Sequence, residues 1–218
     1  MIEHVYRRAS ASPQVSEVIV ATDDLRIATR VADFGGKVRL TRATHETGTD
    51  RLAEVAATLD CDLVVNIQGD EPLVDPGAID ELVRPFTTDA GVQVTTLFRR
   101  IQEPSELSNP NVVKVVVDRG GYAIYFSRSA IPYVRDPRAG WPPFFRHVGL
   151  YAYRRSALLV LASLEPTPLE RAEALEQLRA IEHGIRIKAV ETRYESFEVN
   201  TPEDLDQVRR LLAVPTSS

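Results

Sequence analysis

The sequence predicts an α/β fold with a mostly parallel sheet, on three observations. The first forty residues alternate helical and strand patterns. The stretch Leu63 to Pro72, Leu-Val-Val-Asn-Ile-Gln-Gly-Asp-Glu-Pro, is an apolar run that stops abruptly in polar residues, as a parallel strand covered on both faces does. Ligands in such sheets gather beyond the carboxyl ends of the strands, and Asp70 falls there. Finally, 218 residues, 44% of them hydrophobic, suit one good-sized domain, and no linker is long enough to separate two.

In chain order, Ile2, Val5, Tyr6 and Ala9 stand at helical spacing, so a helix covers Met1 to Ser10. A strand over Val18 to Ala21 follows, then the helix start Thr22-Asp23-Asp24, a helix over Leu25 to Phe34, the stop Gly35-Gly36 and a strand over Lys37 to Leu40. A polar loop from Thr41 to Arg51 leads into a helical stretch from Leu52 to Leu59, with Thr49 or Asp50 as cap. Beyond the Gln68 to Pro72 turn come a helix over Pro76 to Phe86, an alternating strand over Val92 to Phe98 and a short helix near Glu103 to Leu107. The strands Val112 to Val117 and Tyr122 to Ser127 form a hairpin across Asp118-Arg119-Gly120-Gly121. The Pro-, Gly- and Arg-rich segment Pro132 to Pro143 reads as a long exposed loop with subunit-contact potential. A strand over Arg146 to Tyr153 puts His147, Gly149, Tyr151 and Tyr153 on one face. Two helices follow, the second over Leu169 to Ile181 with Glu176 and Gln177 off its apolar face, and then a strand over Ile185 to Val190. Ser196 to Val199 runs into Asn200-Thr201-Pro202-Glu203-Asp204, where Thr201 caps a last helix over Glu203 to Leu212 and Asp204 supplies the capping-box acid. A flexible tail, residues 213–218, ends the sequence.

A net charge of −5 gives no broad basic footprint, which argues against a nucleic-acid partner. Cys61 is the only cysteine, so neither an intramolecular disulfide nor a cysteine zinc site is available. No apolar run is long enough for a membrane span and the first residues lack a signal-peptide core, so a cytoplasmic location without membrane attachment is expected.

Asp70 is the candidate ligand for a metal or phosphate, with Gln68 and Gly69 beside it; the plain alternative is an acidic turn. In the 41–51 loop, Arg42 and Arg51 add positive charge to a helix N-terminus and Gly48 permits an unusual turn, which suits an anion. Simple capping with solvated arginines is the alternative. His147 and Tyr151 flank the gap left by Gly149 and outline a small polar pocket, against which stands a structural histidine.

Taken together, these segments resemble the 3-deoxy-manno-octulosonate (Kdo) cytidylyltransferases, the CMP-Kdo synthetases. The likeness runs in order through Ile2-Glu3-His4-Val5-Tyr6, Val20-Ala21-Thr22-Asp23-Asp24, Thr41 to Arg51, Asn66 to Pro72, Asn109-Pro110-Asn111-Val112-Val113-Lys114, Tyr125-Phe126-Ser127-Arg128, Arg146 to Tyr151, Leu175 to Arg179 and Thr201 to Leu205. It implies a three-layer, Rossmann-like nucleotide-transferase domain over residues 1–212, with a small β insertion around residues 112–153 through which the family dimerises. It also implies that CTP and Kdo give CMP-Kdo and pyrophosphate, with Mg²⁺, for lipopolysaccharide assembly. The anomeric hydroxyl of Kdo would attack the α-phosphorus in line, a reaction that needs mostly positioning and charge neutralisation. By the same likeness, Arg42, Thr47, Gly48, Thr49 and Asp50 hold the cytidine portion, Gln68, His147, Tyr151, Glu176 and Gln177 line the sugar pocket, and Asp70 and Asn200 serve the metal.

Two departures qualify the resemblance. Family members open with a strand and a basic, glycine-containing triphosphate loop, whereas Met1 falls just before the first helix. If that loop is absent from the protein, slow turnover of CTP and an unpaired sheet edge are expected. Asn200 stands where the family has an aspartate, and Mg²⁺ prefers carboxylates, so Glu198, two residues away on the same side of an extended strand, is a candidate compensating ligand. A cytidylyltransferase for another acidic sugar, sialic acid or amino-Kdo, and a non-catalytic sugar-binding fragment are the alternative readings.

Overall fold

The computed structural model describes residues 1–45, 47–136, 138, 143–195 and 197–213. Glu46 of the polar loop, Ser196, part of the Pro132 to Pro143 segment and the tail from residue 214 therefore lie outside the described residues.

The chain forms two compact units. The first comprises Met1–Leu59, Asn66–Asp80 and Tyr194–Ser218, and the second Asp60–Val65 and Glu81–Arg193. Neither is a continuous stretch, so no linker separates them in the sequence.

In the first unit, α1 (Ile2–Ser10) buries Val5 and Ala9 and is tied down by Arg8, whose Nε donates to the Val74 carbonyl at 2.6 Å. Strand β1 (Ile19–Thr22) pairs in parallel with β2 (Lys37–Leu40) around α2 (Leu25–Asp33). Asp24 caps α2 by accepting from the Arg26 N–H at 2.7 Å, as Thr22-Asp23-Asp24 predicts. Gly35 follows the helix at φ 76°, a left-handed conformation that costs glycine little. Helix α3 (Gly48–Ala56) comes next, and α9 (Pro202–Ala213) completes the unit. The α9 capping box forms as read: the Asp204 N–H donates to Thr201 Oγ1 at 3.2 Å, and Asp204 Oδ2 accepts from the Thr201 N–H at 2.8 Å.

The second unit holds a six-stranded sheet: β3 (Leu63–Asn66), β4 (Val94–Arg100), β5 (Lys114–Val117), β6 (Ala123–Ser127), β7 (Phe145–Arg154) and β8 (Ile187–Glu191), in the order β6-β5-β7-β4-β8 with β3 also on β7. The sheet is mixed rather than mostly parallel. The pairs β4–β7, β5–β6 and β5–β7 are antiparallel, and β4–β8 is parallel. An apolar run reports burial on both faces, and antiparallel β4 has that burial too: Val94 to Phe98 are all buried, where alternation was expected. Helix α4 (Pro76–Thr88) begins in the first unit and continues here, followed by α5 (Pro104–Ser108) and α6 (Arg155–Ala162). The core centres on Leu82, Leu97, Phe126, Leu158 and Leu178, each essentially inaccessible.

The helix expected over Leu169 to Ile181 is two helices, α7 (Pro168–Glu173) and α8 (Gln177–Glu182). Ala174 between them adopts φ 50°, ψ 51°, a left-handed conformation costing a residue with a Cβ about 1–2 kcal/mol. A buried ion pair spans the break, with Arg179 Nη2 2.6 Å from Glu170 Oε1 and Arg179 Nε 2.9 Å from Glu170 Oε2. Among the described residues no helix is long and apolar enough to cross a membrane.

Candidate functional site

In the first unit, the turn after β3 closes through the Glu71 N–H on the Gln68 carbonyl at 3.3 Å. The Asp70 carbonyl accepts from the Val199 N–H at 3.0 Å, which places the backbone between Glu198 and Asn200 against Asp70. Asn200 Nδ2 donates to Glu198 Oε2 at 3.3 Å, so these two side chains meet, although the segment that carries them is not a strand. The Asn200 N–H is fixed in turn by Asp204 Oδ2 at 3.1 Å. Asp70 Oδ1 is buried and meets no hydrogen-bond partner among the described residues. A buried, unsatisfied carboxylate oxygen is costly unless something outside the chain completes it. Among the described residues no group of three His, Cys, Asp or Glu side chains clusters as a protein-only metal cage. A carboxylate with an open buried oxygen fits a hard cation that takes most of its shell from water and substrate oxygens.

The 41–51 loop is organised by Glu54. Its Oε2 accepts from the Arg42 N–H at 3.3 Å and from Arg42 Nε at 3.2 Å, and His45 Nε2 makes a short contact with the same oxygen. The His45 bond, and after it Arg42, hold the Glu54 carboxyl below the ordinary carboxylate range. Arg51 pairs with Asp23 at 3.2 Å and with the Thr41 hydroxyl. Both arginines are thus partnered, not merely solvated. The cap is Thr47, accepting from the Asp50 N–H at 3.1 Å, and not Thr49 or Asp50. Thr49 is buried and Asp50 lies in the first turn. Gly48 opens the helix without a left-handed turn, and a Cβ there would meet nothing within 4 Å, so a side chain at that position would face open space. Read from sequence, the cap falls two or three residues late, because Thr47, Thr49 and Asp50 all carry side chains able to cap.

In the second unit, β7 carries an irregularity against β4: Thr96 faces Tyr151 while the next residue, Leu97, faces Val148. Gly149 and Leu150 bulge out, and the Thr96 hydroxyl occupies the bulge, 2.9 Å from the Leu150 carbonyl and 2.9 Å from His147 Nε2. A hydroxyl has one proton; given to Leu150, it leaves Thr96 Oγ1 as acceptor for an Nε2–H tautomer of His147, with Nδ1 unprotonated. Burial, and secondarily the Arg146 charge, push the His147 pKa down to about 3, so the ring is neutral. Phe126 stands edge-on to it at 5.0 Å, and Tyr151 lies 5.4 Å away on the same side, stacked on Tyr153. The Tyr151 hydroxyl is buried and, among the described residues, has no partner within hydrogen-bond geometry, although Thr96 lies close enough to act on it. Burial first, and the Tyr153 and Glu176 charges after it, push its pKa well above 10 against an opposing contribution from Thr96, so it keeps its proton.

The structure therefore brings His147, Tyr151 and Glu176 into one neighbourhood, and Gln177 follows as the first residue of α8. Gln68 is exposed and belongs to the first unit with Asp70. Sequence reasoning missed Thr96, whose signal was a Thr-Thr pair inside an apolar strand, and it missed Glu173 and Arg128, whose contacts are described below.

Comparison with known proteins extends the resemblance. The family model described as "Cytidylyltransferase" matches residues 1–187. A 3-deoxy-manno-octulosonate cytidylyltransferase of Geobacter metallireducens is 54% identical over 217 residues, spanning 95% of this chain and 85% of that protein. Its counterpart in Solibacter usitatus is 54% identical over 211 residues, spanning 97% and 83%. Among solved structures, a CMP:2-keto-3-deoxy-manno-octonic acid synthetase complexed with CTP superposes with a TM-score of 0.92 at 44% identity, covering 97% of this chain and 87% of that one. A 4-diphosphocytidyl-2C-methyl-D-erythritol synthase from Anaerococcus prevotii, 14% identical at a TM-score of 0.62 over 97% and 88% of the two chains, shares the fold.

Proposed function

Since this chain belongs to the cytidylyltransferase family, we propose that it joins CTP to 3-deoxy-manno-octulosonate, releasing pyrophosphate and forming CMP-Kdo. The observation that carries this reading is the match to a synthetase of this type solved with CTP. The anomeric hydroxyl of the sugar displaces pyrophosphate in line at the α-phosphorus, and the protein's task is chiefly alignment and charge compensation.

In this reading, Arg42 and the Thr47-Gly48-Thr49-Asp50 start of α3 receive the cytidine portion. The open space at Gly48 and the partly positive helix N-terminus support it. Glu54 holds Arg42 in place, so the guanidinium is pre-oriented before the nucleotide arrives. On the sugar side, neutral His147 offers Nδ1 as an acceptor, protonated Tyr151 offers a donor, and Glu176 and Gln177 complete a hydrogen-bonding set for a polyhydroxy acid.

Asp70 with its unsatisfied Oδ1, Asn200 and Glu198 are the groups that would hold Mg²⁺. When bound, such a cation supplies positive charge against the phosphates and acidifies the attacking hydroxyl. The family reading also carries a single cytidylyltransferase-like domain, a cytoplasmic homodimer and a product destined for lipopolysaccharide. The deciding assay is pyrophosphate release from CTP with Kdo and Mg²⁺, with sialic acid and amino-Kdo as competitors. Turnover specific to Kdo sustains the reading; turnover of another acidic sugar alone overturns it.

A further inference from the structure

An uninterrupted helix would spend the carbonyls of Glu173 and Ala174 on the N–H groups of residues 177 and 178. Here the Leu178 N–H turns to the Leu175 carbonyl at 3.1 Å and the Arg179 N–H to the Glu176 carbonyl at 3.1 Å, each only three residues back. The two released carbonyls go to one side chain distant in sequence. Arg128 Nε donates to the Glu173 carbonyl at 2.7 Å and Nη2 to the Ala174 carbonyl at 3.3 Å.

The contact is reciprocal. Glu173 Oε2 accepts from the Arg128 N–H at 2.9 Å, and Oε1 accepts from Ser127 Oγ at 2.6 Å. Arg128 is anchored from behind as well: its Nη1 reaches the Pro110 carbonyl at 3.0 Å, and its own carbonyl accepts from the buried Lys114 ammonium at 2.5 Å. The end of β6 and the end of α7 are thus locked together at the residue before left-handed Ala174. Two residues later the chain emits Glu176 and Gln177.

We propose that Arg128, together with Glu173, is a positioning residue that holds the α7–α8 break open and thereby presents Glu176 and Gln177 to the sugar acid. The proposal rests on the functional reading above for the role of that pair, and the fork of Arg128 is what the geometry requires. A single helix through residues 168–182 would turn Glu176 and Gln177 to other directions, and the guanidinium fork, with fixed donors on separate nitrogens, takes the two successive carbonyls together.

The test uses the full chain with Arg128→Met, which keeps the stem and the backbone N–H but removes the donors. Glu173→Gln is the milder second variant, and Val92→Ala is a destabilised control at a buried position just before β4. Two quantities are read: the KM values for Kdo and CTP, and amide hydrogen exchange over residues 174–178. Arg128→Met is expected to raise the KM for Kdo about tenfold while the KM for CTP stays within about twofold, as loss of a charge-assisted bond at one substrate's subsite should. Exchange over 174–178 should accelerate, Glu173→Gln should shift both quantities in the same direction by less, and Val92→Ala should leave both KM values in place.

Unchanged exchange with an unchanged KM for Kdo in Arg128→Met overturns the proposal, and so does an equal rise in both KM values. Should Arg128→Met not fold, the same criteria apply to Glu173→Gln. If the unsubstituted chain does not turn over Kdo, the functional reading falls by itself. Exchange over 174–178 then decides whether Arg128 holds the break.

Discussion

Acid should weaken this protein well above the pH at which its carboxylates protonate, because of His147. The imidazole packs against Phe126, Tyr151 and Thr96, and desolvation there pulls its pKa down to about 3. In the unfolded chain the same ring titrates near 6.5. Between these values the unfolded state binds a proton that the folded state refuses, so stability rises with pH across that window and falls as pH drops. Each unit of pH below 6.5 removes about 1.4 kcal/mol, giving a loss of about 2 kcal/mol at pH 5 relative to pH 8. Urea denaturation of the natural chain and of His147→Gln, at pH 8 and pH 5, isolates the effect, because the other histidines are common to both. Glutamine stays uncharged and keeps an N–H for Thr96 Oγ1. The natural chain should lose about 2 kcal/mol more than the variant between the two pH values. Parallel pH dependence of the two proteins, or a His147 resonance that titrates near pH 6.5, would refute the reasoning.

Asp70→Asn should lower kcat/KM by about a hundredfold or more and raise the Mg²⁺ concentration needed for half-maximal pyrophosphate release, since a hard cation loses its one buried carboxylate oxygen. Glu198→Gly should also raise that Mg²⁺ requirement; an unchanged requirement excludes Glu198 as a compensating ligand for Asn200. Thr201→Ala removes the α9 cap and should cost about 1 kcal/mol in urea denaturation. Lys114→Met strands the carbonyls of Asn109, Val112 and Arg128, all of which accept from its ammonium, and should cost about 2–4 kcal/mol by the same measurement.

Legibility in the sequence followed the range of the interaction that decides each feature. The Asp24 cap, the Gly35 stop and the Thr201–Asp204 box are decided within four residues, and all three were readable. The break between α7 and α8 was not, because local propensity favours a continuous helix through Ala174. The groups that capture its released carbonyls belong to Arg128, 45 and 46 residues away. The bulge in β7 was hidden for the same reason: it depends on a Thr96 hydroxyl some fifty residues earlier. Alternation still placed His147, Tyr151 and Tyr153 on one side, because the irregularity inserts two residues and so preserves the period of two. The two compact units left no mark either, since the chain passes between them after Leu59, Val65, Asp80 and Arg193 without a linker.

These local environments also limit which groups can move a proton. A general base works best with a pKa near the operating pH. His147, held at about 3, is neutral at pH 7 but too weakly basic to draw a proton from a sugar hydroxyl efficiently. Tyr151 is pushed the other way and keeps its proton, so it can donate a hydrogen bond but cannot accept a proton at neutral pH. The titratable side chains around Thr96 are therefore suited to orienting a polar ligand, not to deprotonating it. On the proposed reading, deprotonation of the attacking hydroxyl depends on the Asp70 side of the chemistry. His147→Gln should then weaken sugar binding, seen as a higher KM for Kdo, while leaving the pH dependence of kcat between pH 6 and 8 unaltered. A kcat profile that loses an ionisation in His147→Gln would show instead that the ring takes the proton.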